Sequence, residues 1–288
     1  YQLETGEKPA DGIRRIVREQ LECALHEAAA LGGPGESEAV HRIRKQIKKI
    51  RAVLRLVKKE IGADIYAEEK DRLRAAARGF SDLRDAQVQL HVLEKLRVST
   101  DGKAGLFAGV EACFRQQHAA AKEAQKPERT EAIALLESLH DRLPGWPLEA
   151  VNRKTLSRGF ARSYRQGRRC LHHVLDHRTA ENFHSWRRHT KDVWYHARLL
   201  RELQPEVLGE IAAMADTLDG YLGDLHDLVF LQDRLPACTA PENEKTILQR
   251  LICARANALN EIALDLGACF FAEKQGAFRR RLHRYAES

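Results

Sequence analysis

The chain repeats one helical pattern in its two halves, and this repeat is the feature that most limits the folds open to it. His41 and Lys48 recur 143 residues later as His184 and Lys191, and apolar positions around them keep the same offset. Two copies are too few for a solenoid, in which each repeat stacks only on its neighbours. The sequence therefore predicts a duplicated helical bundle with pseudo-two-fold symmetry.

Both halves are predicted to be helical, which makes the fold class all-α. Long segments rich in Ala, Leu, Arg, Lys, Glu and Gln separate the eight prolines, and the short alternating runs typical of strands are missing. Pro144-Gly145-Trp146-Pro147 marks the boundary between halves of about 10–143 and 148–286 in a single domain over 1–288. We expect helices at about 9–31, 36–61, 64–79, 82–98, 103–124, 128–141, 153–176, 180–203, 206–219, 224–235, 242–266 and 268–286.

Composition excludes some classes of protein. No charge-free apolar stretch approaches the roughly 20 residues that a membrane helix needs, so no membrane partner is expected. The first residues are polar and do not form a signal peptide, and none of the six cysteines forms a CxxC pair. We expect a cytoplasmic protein with reduced thiols. Its 48 Lys and Arg against 41 Asp and Glu give a net charge of +7, which favours an anionic partner.

The positive charge is concentrated on particular helix faces. No acidic residue occurs from position 40 to 59, although a solvated helix usually interleaves acids and bases to relieve repulsion. The cations there lie three and four residues apart, on a face about a third of a turn from the apolar stripe. They are His41, Arg44, Lys45, Lys48, Lys49, Arg51 and Arg55.

The second half repeats this basic face and extends it onto the preceding helix. The repeated face carries His184, Arg187, Arg188, Lys191, Tyr195 and Arg198, and the preceding helix adds Arg158, Arg162, Arg165 and Arg169. Two basic faces at a fixed offset, each opposite a core stripe, predict a shared basic groove for a polyanion. Arg offers a planar fork that matches phosphate, and Lys offers a point charge.

The pattern His41-x-x-Arg44-x-x-x-Lys48-Lys49-x-Arg51, with its later copy, resembles the CHAD family, the conserved histidine α-helical domain. Leu83-Arg84-Asp85 and Gly223-Asp224-Leu225-His226-Asp227 look like the second marker of that family in each half. The resemblance implies two four-helix bundles related by pseudo-two-fold symmetry. It also implies a central basic groove or pore that binds inorganic polyphosphate. Asp192 and Trp194 depart from the pattern, since they stand where the first copy has Lys49 and Arg51.

Polyphosphate suits the composition, because it presents regularly spaced charges and no bases. Aromatic residues are 6% of the chain, and few interleave with the basic faces. Single-stranded nucleic-acid sites combine a basic groove with aromatics on which bases stack. We therefore expect a non-catalytic binding protein that takes nucleic acid only non-specifically. It needs no cofactor, and association with polyphosphate granules would follow.

Several polar residues keep two interpretations. His41 and His184 either contact the ligand, with a charge that depends on pH, or orient a neighbouring arginine. Asp85 and Asp227 are predicted to be ion-pair partners that orient arginines. Alternatively, the pairs Asp82/Asp85 and Asp224/Asp227 could each hold a divalent cation that bridges phosphate, because i,i+3 spacing places both carboxylates on one helix face.

Two other functions remain as alternatives. One is a metal-dependent phosphohydrolase that uses Asp85 and Asp227, and the other is an RNA-binding protein. His173 and His177 have the i,i+4 spacing that allows shared zinc binding, but no Glu follows the first His and arginines lie beside them. We expect these histidines to be a solvated helix end and no metal to be bound.

Overall fold

The computed structural model describes residues 1–33, 35–98, 105–124 and 126–287, apart from the side chains of 81–87, 118, 120–124 and 126. Over these residues the chain is all-helical and contains no strand, which confirms the predicted fold class. The helices are α1 (Pro9–Ala28), α2 (Glu36–Leu56), α3 (Ala63–Arg78), α4 (Ser81–Val98), α5 (Ala108–Ala124), α6 (Lys126–Arg142), α7 (Arg153–Asp176), α8 (Ala180–Leu199), α9 (Pro205–Arg234), α10 (Glu242–Phe270) and α11 (Gln275–Tyr285). Short 3-10 turns occupy Leu143–Gly145, Arg201–Leu203 and Leu235–Ala237.

Two predicted helix boundaries are wrong. The expected break between 219 and 224 does not exist, because α9 runs through Gly220 and Gly223 on a continuous buried stripe that includes Leu218, Leu222 and Leu225. The helix α10 also continues past the predicted end at 266 and stops at Phe270. Packing outweighs the low helix propensity of glycine at these positions.

Gly267 shows why α10 stays helical at a glycine. A Cβ at this position would lie 2.3 Å from the indole of Trp186 on α8, which is closer than atoms can approach. The glycine is therefore there to admit the Trp186 ring, which is fully buried. The chain turns after Phe270 instead, and α11 begins at Gln275.

Two apolar cores hold the helices together. The larger core is formed by α1, α2, α3, α6, α7, α8 and α11, with the first part of α9 and the end of α10. The smaller core combines α4 and α5 with the end of α9 and the first two-thirds of α10. Each core draws on both halves of the sequence. The division at about 143–148 and the pseudo-two-fold symmetry stay predictions.

The helix α2 shows how the sequence positions the site. Its predicted apolar stripe, which includes Ile43, Ile47, Ile50 and Leu54, is at most 1% exposed. Burial of this face in the larger core turns the basic face outward, toward α3 and α8, both of which contact α2. Among the helices that the structure describes, none combines the length and the apolar character needed to cross a bilayer.

Candidate functional site

A groove of about 390 Å³ lies between α2, α3 and α8, and we call it the α2–α8 groove. Nine of the twelve described residues that line it are Lys or Arg, and none of the twelve is Asp or Glu. From α2 come Arg44, Lys48, Arg51 and Arg55; from α3 come Arg74, Ala77 and Arg78; and from α8 come His184, Arg187, Arg188, Lys191 and Tyr195. A low-dielectric cleft of one charge sign concentrates the potential and attracts anions.

The repeat in the sequence explains how two distant segments line one groove. On α2 the spacing of three and four residues stacks Arg44, Lys48 and Arg51 on one side of the helix. The equivalent helix α8 buries Trp186 and Val193 and turns Arg187 and Lys191 toward the groove. The aligned basic positions of the two copies therefore meet across one cleft.

Two carboxylates hold groove cations in place without lining the groove. Asp219 of α9 forms an ion pair with Lys191, with 2.7 Å between its Oδ2 and Lys191 Nζ. Its other oxygen, Oδ1, lies 3.7 Å from Arg187 Nε. Asp192 of α8, which is 1% exposed, pairs with Arg55 of α2. His189 Nδ1 lies 3.7 Å from Asp192 Oδ2 on the same helix. These contacts order the cations from behind.

A backbone contact orders a further arginine at the edge of the groove. Arg44 Nη1 donates to the carbonyl oxygen of Ala77 at 2.9 Å, which ties α2 to the end of α3. Arg44 is thus held in position by this contact on the lining of the groove.

Burial and the crowding of like charges together shift pKa values in the groove. Burial, and then the charges of Lys191, Arg44 and Arg187, lower the pKa of Lys48 to about 7. The Lys48 side chain is nevertheless exposed to the water in the groove. Repulsion by the neighbouring cations is therefore the part of the shift that a bound anion would reverse.

Two histidines add to this cluster. The rings of His184 and His226 lie 4.9 Å apart between centroids. Burial, and then Arg187, lower the pKa of both, that of His226 to about 4. Both side chains are therefore neutral at physiological pH, and protonation in acid would add charge to the groove.

The structure brings together about half of the predicted binding residues. Those in the α2–α8 groove are Arg44, Lys48, Arg51, Arg55, His184, Arg187, Arg188, Lys191 and Tyr195. Arg158, Arg162 and Arg165 line a different groove, described below, and His41, Lys45, Lys49, Arg169 and Arg198 line neither.

Two of these outlying residues have partners elsewhere. Lys49 Nζ donates to Gln20 Oε1 at 2.7 Å, and the Arg198 guanidinium lies 5.4 Å from the ring centroid of Trp194. Lys49 therefore points to α1 rather than into the groove. The contribution of both residues to binding stays a prediction.

Four residues of the site were missed by the sequence analysis. Arg74 and Arg78 of α3 line the groove. The sequence contains a weak signal for them, since no acidic residue occurs between positions 72 and 81. His226 approaches from α9, and Asp219 is the carboxylate that orders Lys191. Nothing in the sequence pattern distinguishes Asp219 from other acids on α9.

Of the two predicted orienting acids, only Asp227 has a described side chain. The side chain of Asp85 lies outside the described residues, and Asp227 lines neither groove. Of the proposed cation-binding pair on α9, Asp224 accepts Lys95 Nζ at 3.0 Å. Over the part of the chain that the structure describes, no three His, Cys, Asp or Glu residues form a group that could hold a metal ion.

Comparisons with known proteins agree with this architecture. The family model of the CHAD domain matches residues 15–236. A CHAD domain from the plant Ricinus communis superimposes with a TM-score of 0.66 and 17% identity, over 95% of each chain. PptA from Streptomyces chartreusis superimposes with a TM-score of 0.65 and 13% identity, over 93% of this chain and 100% of the other. A search of curated proteins gave no match.

Proposed function

The chain belongs to the CHAD domain family, and from that premise we propose that its α2–α8 groove binds inorganic polyphosphate without chemical turnover. The observation that carries the proposal is the groove lining of nine Lys and Arg with no acidic residue among its described members. A repeating phosphate chain can satisfy such a row of donors, because each phosphate presents oxygens that Arg and Lys bind by charge-assisted hydrogen bonds.

The aromatic residue in the groove favours polyphosphate over single-stranded nucleic acid. Tyr195 is 2% exposed, and its ring packs on Trp194 at 4.7 Å and on Tyr1 at 5.8 Å between centroids. Protein rings therefore already cover it, and no face is left on which a base could stack. Single-stranded nucleic-acid sites use such stacking for much of their affinity.

The placement of acids favours binding over hydrolysis. A phosphohydrolase needs carboxylates that face the phosphate, to hold a metal ion or to activate water. Among the described carboxylates, Asp192 and Asp219 contact cations of the groove, and each is already engaged in an ion pair behind it. The groove therefore offers donors to phosphate but no carboxylate among its described lining.

A double variant tests the proposed site. Lys48 and Arg188 are exposed in the groove, and neither has an ion pair among the described residues. The variant K48Q/R188Q should therefore keep its helicity while it loses two phosphate contacts. Each lost charge-assisted contact costs about 1.5–3 kcal/mol, so calorimetry with long-chain polyphosphate should show binding weakened by about 100-fold or more.

The matched control removes the same charge elsewhere. R115Q/R178Q takes two exposed arginines that already pair with Glu111 and Glu261, away from the groove. It should bind almost as tightly as the unchanged protein. Equal affinity of K48Q/R188Q and this control would remove the groove from the proposal.

Two further experiments test the alternative functions. Displacement of polyphosphate by tRNA at equal phosphate concentration would favour the RNA-binding alternative. Release of phosphate from polyphosphate with Mg²⁺ would favour hydrolysis.

A further inference from the structure

A second basic groove, of about 380 Å³, lies between α7 and α11, and we call it the α7–α11 groove. Its residues are distinct from those of the α2–α8 groove. It is lined by Lys59, Arg158, Ala161, Arg162, Arg165, Gln275, Gly276 and Arg279, and none of these described residues is acidic. Five of its eight lining residues are cations, four of them arginines.

The cations of this groove have no carboxylate at ion-pair distance among the described residues. Exposed residues such as Arg115 and Arg178 each pair with a glutamate. In contrast, over the described part of the chain, no carboxylate lies within 4.0 Å of any of the five groove cations. Clustered cations repel one another, and such an arrangement persists most readily where an anion relieves the repulsion.

Arg162 is fixed in an orientation that supports the site. Its Nη2 donates to the carbonyl oxygen of Leu56 at 3.0 Å, at the end of α2. Burial lowers its pKa, and the charges of Arg165 and Arg158 act in the same direction, against the raising effect of Glu60. The guanidinium is thus anchored through its bond to the Leu56 carbonyl oxygen.

The first turn of α11 adds backbone donors to the same groove. Gln275 and Gly276 line it, and over the described residues their N–H groups have no backbone acceptor, whereas those of Ala277 and Phe278 bond to Lys274. The N-terminus of a helix carries a partial positive charge from such unsatisfied groups. Side chains and backbone therefore present positive charge to one volume.

We propose that the α7–α11 groove is a second anion site, which binds a compact phosphate bearing several charges. Arginine predominates there, and its planar fork matches phosphate oxygens. The ligand is either a free oligophosphate or a segment of a polyphosphate chain. The site is independent of the proposed function of the α2–α8 groove, because the two grooves share no residue.

Tripolyphosphate is the probe, and the triple variant R158Q/R165Q/R279Q removes the site. All three side chains are exposed and have no ion pair among the described residues, so their loss should not unfold α7 or α11. We expect calorimetry to show two tripolyphosphate sites in the unchanged protein and one in the triple variant. Circular dichroism checks that helicity is retained, and R158Q alone should give a smaller loss of affinity.

The matched control is K95Q/R115Q/R178Q, which removes three exposed cations that already pair with acids. It should retain both sites. A second comparison introduces the triple change into K48Q/R188Q, where the remaining tripolyphosphate binding should weaken by at least about tenfold. Unchanged affinity and stoichiometry in both backgrounds would overturn the proposal.

Long-chain polyphosphate identifies the source of the phosphate. If the triple variant binds long chains more weakly, the groove takes a segment of the chain; if only tripolyphosphate binding falls, it takes a free oligophosphate. Failure of the function proposed for the other groove has a different signature. In that case K48Q/R188Q would bind as the unchanged protein does, whereas R158Q/R165Q/R279Q would still lose a site.

Discussion

Lys48 is the residue at which the electrostatics of the α2–α8 groove is most visible. It lies on α2, close to three cations, which are Arg44 of the same helix and Arg187 and Lys191 of α8. Asp219 and His226 of α9 also lie near it. The single carboxylate among these groups is already paired with Lys191, so the cations dominate. Partial burial of the side chain, and then the repulsion by these cations, bring the pKa of Lys48 to about 7.

This lowered pKa predicts that binding takes up a proton. At about pH 8 the free protein holds Lys48 largely neutral, whereas a bound polyanion would raise its pKa toward the ordinary value near 10. We expect an uptake of up to about one proton per groove at pH 8 and little at pH 6. Affinity should therefore fall as the pH rises above 7. Calorimetry in two buffers of different ionisation enthalpy measures the uptake.

The variant K48R isolates this effect, because arginine stays charged throughout this range. It should lose the proton uptake at pH 8 and keep its affinity at higher pH. The histidines contribute little at pH 8, because a bound anion would have to raise the pKa values of His184 and His226, both lowered from 6.5, to about 8 before either ring held a proton there. Equal uptake by K48R and the unchanged protein would assign the proton to another group.

At the scale of the helix, two glycines separate local propensity from packing. Gly220 lies within α9, and a Cβ added there would have no atom within 4 Å. Gly159 lies within α7, and a Cβ there would come within 2.3 Å of the carbonyl oxygen of Leu56 on α2. The first glycine only weakens its helix, whereas the second allows α7 and α2 to pack closely.

Alanine substitutions should therefore have opposite effects at these two positions. G220A should raise the free energy of unfolding by about 0.5–1 kcal/mol, because alanine loses less conformational freedom in a helix. G159A should lower it by about 1–3 kcal/mol or more, because a backbone contact cannot yield as a flexible side chain can. Urea denaturation followed by circular dichroism measures both. A stabilising G159A would show that the close contact of α7 and α2 is absent in solution.

Helical elements could be predicted where the residue pattern within a single helix is sufficient. The apolar stripe of α2 and the basic face beside it follow from residue spacing alone. The pairing of α2 with α8 across a groove follows from the repeat. The position of Gly220 could not be interpreted, because a glycine that ends a helix and one inside a helix look alike in sequence. The buried apolar residues around it decide the outcome.

The grouping of basic residues depended on packing that the sequence does not contain. Arg158 and Arg165 were expected to extend the first groove, but α7 turns them toward α11. Arg74 and Arg78 follow an acidic stretch that suggests a solvated helix, yet α3 presents them to the α2–α8 groove. The packing of the two cores together determines which helices face each other. Both cores join residues that are far apart in the chain.

At the scale of the whole molecule, the two cores connect the halves of the sequence. The helices α9 and α10 pass through both cores, so neither half of the chain holds a complete core of its own. The α2–α8 groove is likewise built from both halves. A net charge of +7 is therefore a poor description of the surface, because the cations converge on grooves while other helices are nearly balanced.

This distribution predicts a local rather than a global dependence on salt. Each phosphate neutralised by Lys or Arg releases a counterion, and for single-stranded nucleic acid the slope of log K against log salt is about −0.7 per contact. Nine groove cations, three of them partly neutralised by Asp192 and Asp219, should give polyphosphate binding a slope of about −4 to −6 by this analogy.

Variants distinguish the local from the global origin of the slope. K48Q/R188Q removes two groove contacts and should make the slope shallower by about 1.4, at 0.7 per contact. R115Q/R178Q changes the net charge equally but lies outside both grooves, so its slope should match that of the unchanged protein. Titrations between 50 and 400 mM NaCl measure both. Equal flattening by the two variants would mean that polyphosphate responds to net charge, and the converging cations of α2 and α8 would then have no special role in holding it.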